Sequence, residues 1–249
     1  MGNRGRRSLE TTGSCRGNSI RLWVLLVMLQ SAPVYADRSL PPSPTCNSDT
    51  DYTARIDEWK EAHLPQRASA ADRPARDPGL RDRLLRMRDR DQKAREGDTL
   101  DWQRMRVVDQ SNTDDLLAIV DQHGWPTEDL VGEDGADAAW LIVQHAPDIE
   151  VMKRFLDLID AYSAKGAIPR RHFAYLNDRV AMLEGRPQLF GTQFRCDHST
   201  GDIVPHPVQD WVNIDVLREA VGLYPIALYW CAVVQVQSSI CRPESAPSN

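Results

Sequence analysis

The 249 residues contain no short motif of high chemical specificity. There is no GxSxG elbow, no P-loop, no HExxH, and no GxGxxG between a strand and a helix. The simplest serine-hydrolase, nucleotide-hydrolase, zincin and dinucleotide-enzyme assignments are therefore out. Cysteine is scarce, with five in all, and no two stand at CxxC spacing, which removes zinc ribbons and thioredoxin-type redox sites. The six histidines (His63, His123, His145, His172, His198, His206) show no ligand spacing, so neither a metal nor an organic cofactor is expected. No apolar run reaches the roughly 20 residues that a membrane span needs. Leu22 to Ala36 has 15, interrupted by Gln30 and Pro33, and Leu223 to Val236 has 14 and is expected to supply core. What is present is a globular composition, 41% hydrophobic and 27% charged, which excludes fibrous and wholly disordered chains.

The first 21 residues are basic, Leu22 to Leu29 are eight unbroken apolar residues, and Val34-Tyr35-Ala36 follows with the small-residue pattern of a cleavage site. This is the grammar of a secretory signal cut after Ala36, and it predicts an exported, periplasmic or secreted protein. Removal of residues 1–36 leaves 25 bases against 35 acids, a formal charge of −10. Such a surface repels phosphate backbones, so nucleic acid is excluded as a partner. The partner expected instead is a small-molecule or cell-envelope ligand, with no stable membrane span after cleavage. Four cysteines remain (Cys46, Cys196, Cys231, Cys241), compatible with two disulfides in any of three connectivities. Cys46 sits in a Pro/Ser-rich stretch that cannot pack by itself, and a bond from it to Cys196 or Cys241 is the expected pairing. Cys231, inside an apolar run, reads equally as a buried thiol.

Residues 37–77 read as a loosely structured linker carrying one short helix, Tyr52 to His63, and residues 78–249 as a single α-helical domain. Helical periodicity predicts Pro78–Glu96, Asn112–Gln122 with Asn112 or Thr113 as its cap, Glu133–His145, Asp148–Lys165 and Pro169–Glu184, joined by short links. Gln188–Arg195 and Gly201–His206 read as a β-hairpin, and Ile214–Val221 as a helix. The fold class is mainly α, a compact bundle of about five to seven helices with a small β-hairpin or irregular segment near the C-terminal third.

Five segments then stand in order: Asp91-Gln92-x-x-Arg95, Gly124-Trp125-Pro126-Thr127, Gln144-His145-Ala146, Leu176-x-Asp178-Arg179, and Gly185-x-Pro187-Gln188-x-Phe190-Gly191-Thr192-Gln193. Over Leu80 to Leu223 the series resembles the bacterial domain-of-unknown-function family 6624. The resemblance implies a pattern of polar positions and no activity. The chain departs from that pattern twice: Pro147 displaces the usual acid after Gln-His-Ala to Asp148, and Phe190 replaces a tyrosine. The first departure removes the adjacent carboxylate from His145, and the second removes a hydroxyl.

At 100° per residue Leu80, Leu84, Met87, Asp91 and Arg95 fall within about 80° of arc, so an acid and a base continue a buried stripe. They form either an intrahelical structural pair or the wall of a polar cleft. His145 ends a helix that is apolar nearly all round. It is either a helix-closing hydrogen-bonder or a general acid/base, oriented by Asp91 or Asp178. Arg95, Gln92, Trp125, Gln144, Arg179, Gln188, Thr192 and Gln193 are the candidate substrate-binding residues, and most of them also have a structural account. Trp125 suits a plug for helix ends, Arg179 a salt bridge, and Gln188, Thr192 and Gln193 caps for backbone groups. Two functions follow: an exported hydrolase or lyase acting on a small polar or cell-envelope substrate, or a non-catalytic binding module in which the same residues are a structural polar network.

Overall fold

The computed structural model describes residues 41–47, 50–64, 74–96, 101–237 and 241. The leader expected over residues 1–36 lies outside them. The described chain is mainly α, with eight helices and one two-stranded antiparallel hairpin. The helices are α1 (Tyr52–His63), α2 (Pro78–Ala94), α3 (Trp102–His123), α4 (Glu128–His145), α5 (Ile149–Ser163), α6 (Arg170–Leu183), α7 (Ile214–Ala220) and α8 (Ile226–Gln237). Strands β1 (Phe194–Asp197) and β2 (Asp202–Pro205) pair with Phe194 opposite Pro205 and Asp197 opposite Asp202.

Aspartates start most of the long helices. Asp77 Oδ1 accepts from the Leu80 amide with Pro78 at the first helical position, Asp101 Oδ1 accepts from the Arg104 amide, and Asp148 Oδ1 accepts from the Glu150 amide. Each carboxylate satisfies a donor that the first turn leaves without an intrahelical partner and sits at the positive end of the helix dipole. The cap at Asp101 explains why α3 begins ten residues before the expected Asn112. Its first half is a largely exposed helix with no apolar stripe to betray it, and Asn112 is no cap but a buried interhelical tie, donating to the Met87 carbonyl at 3.1 Å and accepting from Arg90. Helix α4 has a break where the expected helix begins: Gly132 leaves the helical path at φ 76°, so the continuous apolar helix runs from Glu133 to His145 and is preceded by a short separate turn from Glu128.

Buried side chains gather in two main cores. Leu84, Met87, Leu116, Ile119, Ala138, Ile142, Phe155, Ile159 and Leu176 hold α2 to α6 together. Tyr52, Ile56, Phe194, Ile203, Tyr229, Trp230 and Val233 hold α1 and α8 against the hairpin. Helix α6 is the shared wall. Leu176 and Val180 face the first core, Tyr175 packs against the second, and Ala174 joins a small third cluster with Phe190, Val221 and Leu223.

Two cysteine pairs lie at disulfide distance, Cys46 with Cys231 and Cys196 with Cys241, each with Cα atoms 5.4 Å apart. The expected partner of Cys46 was Cys196 or Cys241, and Cys231 is no free thiol. The reason is tertiary: α1 packs on α8, which lays the proline-rich segment before it over the face of α8 that carries Cys231.

The loop closed by Cys46–Cys231 spans 185 residues and that by Cys196–Cys241 spans 45. Chain entropy assigns about 5 and about 4 kcal/mol to such loops. Thermal unfolding is expected to show both double serine variants less stable than the native protein, with the Cys46/Cys231 variant the lower by roughly 1 kcal/mol. Reductant should lower the native melting temperature, and no shift would contradict the pairings.

Candidate functional site

The C-terminal ends of α2 and α4 meet the middle of α3, and a charged cluster forms there. Asp91 has no exposed surface. Its Oδ1 accepts from Arg95 Nη1 at 2.9 Å and stands 2.6 Å from His145 Nδ1, and its Oδ2 accepts from Gln92 Nε2 at 2.7 Å. Arg95 also donates Nη2 to Asp109 Oδ1 at 2.7 Å and Nη1 to the Asp91 carbonyl at 3.1 Å. His145 and Arg95 both sit at helix C-termini, where the dipole favours positive charge. The helical spacing that puts Asp91 and Arg95 on one stripe thus becomes one corner of a five-residue network. Asp148, the displaced acid, caps α5 instead, so the carboxylate for His145 comes from α2 rather than from its own neighbourhood.

Burial pushes the His145 pKa below its ordinary value, against the upward pull of the Asp91 hydrogen bond. The imidazole is therefore neutral at pH 7. With a carboxylate at Nδ1, the proton belongs on Nδ1 and the lone pair on Nε2. No described residue hydrogen-bonds Nε2. Burial raises the Asp109 carboxyl although Arg95 opposes it. The cluster is sealed on the Asp91 and His145 side and meets solvent at its other edge, where the Arg95 and Asp109 side chains are 18% and 13% exposed. Asp91, Asp109 and His145 offer ligand atoms within 4.8 Å of one another, a donor set that suits a divalent cation. The Arg95 guanidinium already bridges the two carboxylates and supplies positive charge between them.

The other sequence candidates lie elsewhere. Asp178 does not join His145. Its carboxylate, fully buried, accepts from the amides of Leu189, Phe190 and Thr192 and from the Thr192 hydroxyl, all at 2.8 to 3.1 Å. Burial raises the Asp178 pKa while these bonds pull it down. Gln188, also fully buried, donates to the carbonyls of Gln193 and His206 and accepts from the Gln193 amide, and Gln193 donates to Thr192 Oγ1. These residues cap a loop whose Gly191 adopts φ 65°; a Cβ there would meet Ile214 Cδ1 at 2.8 Å. Trp125 is 3% exposed, set edge-on to Phe155 in the first core, and so offers no face to a ligand. Gln144 lies beside His145 in sequence, with its Nε2 sealed and without an acceptor among the described residues. Arg179 is buried and forms no ion pair with any described residue.

Sequence reasoning missed Asp109 and Arg218. Asp109 lies in the unstriped half of α3, and only the packing of α3 on α2 gives it a role. Arg218 is fully buried, donating to the Tyr224 and Phe190 carbonyls, and nothing in the heptapeptide helix around it marks it out.

Fold and cluster together define a mainly α domain, clamped by cysteine pairs, with a histidine–carboxylate centre at the meeting of three helices. The chain belongs to DUF6624, a family of unknown function, whose model matches residues 78–236. Comparison with curated proteins gives no match, and comparison with solved structures gives none.

Asp178→Ala strands three backbone amides away from water, each unmet donor costing about 1–3 kcal/mol. Urea unfolding is expected to show a loss of about 3 kcal/mol or more. A loss under 1 kcal/mol would mean that the carboxylate does not organise the loop.

Proposed function

We propose that the protein is an exported enzyme, a hydrolase or lyase acting on a small polar or cell-envelope substrate, with His145 as general acid/base. The observation that carries this reading is the 2.6 Å contact of His145 Nδ1 with buried Asp91, inside a cluster whose far edge reaches solvent. A carboxylate on one ring nitrogen fixes the tautomer and aims the other nitrogen's lone pair. It also stabilises the imidazolium that forms when that lone pair takes a proton. Asp91 is the positioning residue of the pair. Arg95 Nε is bonded to no described residue and is the donor best placed to meet a substrate oxygen, with Gln92 beside it. Export is supported by the leader pattern and by two cysteine pairs at disulfide distance. No helix of the described residues is long and apolar enough to cross a membrane.

A second reading, a non-catalytic binding module, is favoured by one observation: Asp178, Gln188, Thr192 and Gln193 are sealed and bonded to one another or to backbone. That network accounts for their burial without a substrate. It leaves the His145 cluster as the centre of any chemistry.

The test is turnover of chromogenic esters, amides, glycosides and phosphoesters by the purified protein. Loss of general acid/base assistance costs typically 10²–10⁴-fold, so His145→Ala should lose on the order of 10²-fold or more while melting within a few degrees of the native protein. A base must be deprotonated to act. Because burial lowers the His145 pKa, the rate should hold down through pH 6.5 and fall only at more acid pH. Turnover retained in His145→Ala, or no panel substrate turned over by the native protein, would sink the enzyme reading and leave the module.

A further inference from the structure

The boundary between the two cores carries a second polar feature, apart from His145. Arg179 of α6 is 8% exposed. Its Nε is shut off from solvent with no acceptor, and no described residue accepts a hydrogen bond from the guanidinium or pairs with it as a carboxylate. The Tyr229 phenol, whose hydroxyl donates to the Thr192 carbonyl at 3.1 Å, interacts electrostatically with it. Burial pushes the Arg179 pKa down to about 10, which still leaves it cationic at neutral pH, and burial holds the Tyr229 phenol neutral.

A second buried cation, Arg218, has its guanidinium 5.0 Å from the Tyr229 ring centroid. It too has no carboxylate partner among the described residues; its Nε and Nη1 donate to the carbonyls of Tyr224, Phe190 and Gly191, and its Nη2 is buried without an acceptor. The one buried carboxylate of this region, Asp178, is committed to the amides on the opposite side of the same loop. Two buried guanidiniums thus share one buried carboxylate, so one positive charge of the region is left over, and Arg179 is the member of the pair that makes no hydrogen bond to a described residue. A buried cation without a counter-charge is a costly arrangement for folding alone. It is the expected arrangement for a residue whose counter-ion is a ligand, because an arginine fork pairs with a carboxylate through two parallel hydrogen bonds.

We propose that Arg179 is the anchor of a binding site for a singly charged oxyanion, the carboxylate of a small organic acid or of an acylated amino acid, beside Tyr229 and the Thr192 carbonyl. A single excess positive charge matches a carboxylate better than a doubly charged phosphate. The site stands on residues that share no hydrogen bond or ion pair with the His145 cluster, and so it does not depend on that cluster being catalytic.

Thermal unfolding of the disulfide-intact protein at constant ionic strength provides the test, with acetate, N-acetylalanine and inorganic phosphate as probes and N-acetylalanine methylamide as the uncharged control. A ligand that binds only the folded state raises the melting temperature saturably. The native protein should show that rise with N-acetylalanine and none with the methylamide. Arg179→Met should melt no lower than the native protein without ligand, because an unpaired buried charge has been removed. Its response to N-acetylalanine should be at least tenfold weaker. Arg179→Lys keeps the charge and loses the fork, and should also bind about tenfold more weakly; it serves if the methionine variant does not fold. A native protein indifferent to both carboxylates, equal responses to acid and amide, a full response in either variant, or phosphate bound more tightly than the carboxylates would overturn the assignment.

Discussion

Asp91 has no contact with water, and an ionised carboxylate in that position costs several kcal/mol unless its lone pairs are met. It is met three times over, by Arg95, Gln92 and His145, and Arg95 in turn is held by Asp109. These bonds dictate how three helices end and cross. The last turn of α2 must face the last residue of α4, and α3 must pass close enough to offer Asp109. The apolar packing of Leu84, Met87, Leu116, Ile119 and Ile142 supplies the non-directional drive for α2, α3 and α4 to associate. The charge cluster supplies direction, since a one-residue rotation of any of the three would leave a buried charge without its partner. The same cluster holds a neutral imidazole against a carboxylate, so one arrangement serves both packing and the proposed proton transfer.

The second carboxylate works differently. Asp178 reaches no other charged side chain in a bond and binds three consecutive-region amides and a hydroxyl, turning residues 189–192 into a rigid loop between α6 and the hairpin. That loop hands carbonyls to Arg218 and Tyr229, which belong to the other core. Helix α6 thereby transmits order from one core to the other, and the cysteine pairs close the structure by fastening the segment before α1 and Cys241 to α8 and β1. This arrangement leaves both Arg179 and Arg218 without a carboxylate partner among the described residues, and only Arg179 without a hydrogen bond as well.

Much of this was legible in the residue order. The apolar stripes of α2, α5 and α6 announced those helices, the expected ends fell within a few residues of the observed ones, and the acid–base pair continuing the α2 stripe marked Asp91 and Arg95 as unusual. His145 stood out because it closes an apolar helix. The first half of α3 did not stand out, since an exposed helix held by a cap and by ordinary propensity leaves no periodic trace. Asp109 was hidden for that reason, and Arg218 because seven residues are too few for a pattern. Asp178 was noticed for its chemistry, but its side chain is spent on backbone amides that no spacing rule connects to it.

Local chemistry along the chain determined the mainly α class, the leader pattern, the acidic balance, and which polar residues would have to be buried, because periodicity and capping act over distances of a few residues. Tertiary structure alone decided that Asp91 and not Asp148 faces His145, that Cys46 meets Cys231, that Asp178 closes a loop, and that Arg179 is left without a carboxylate. Those outcomes depend on how far apart in sequence two groups may lie and still share one dehydrated space, and helix packing is what brings them there.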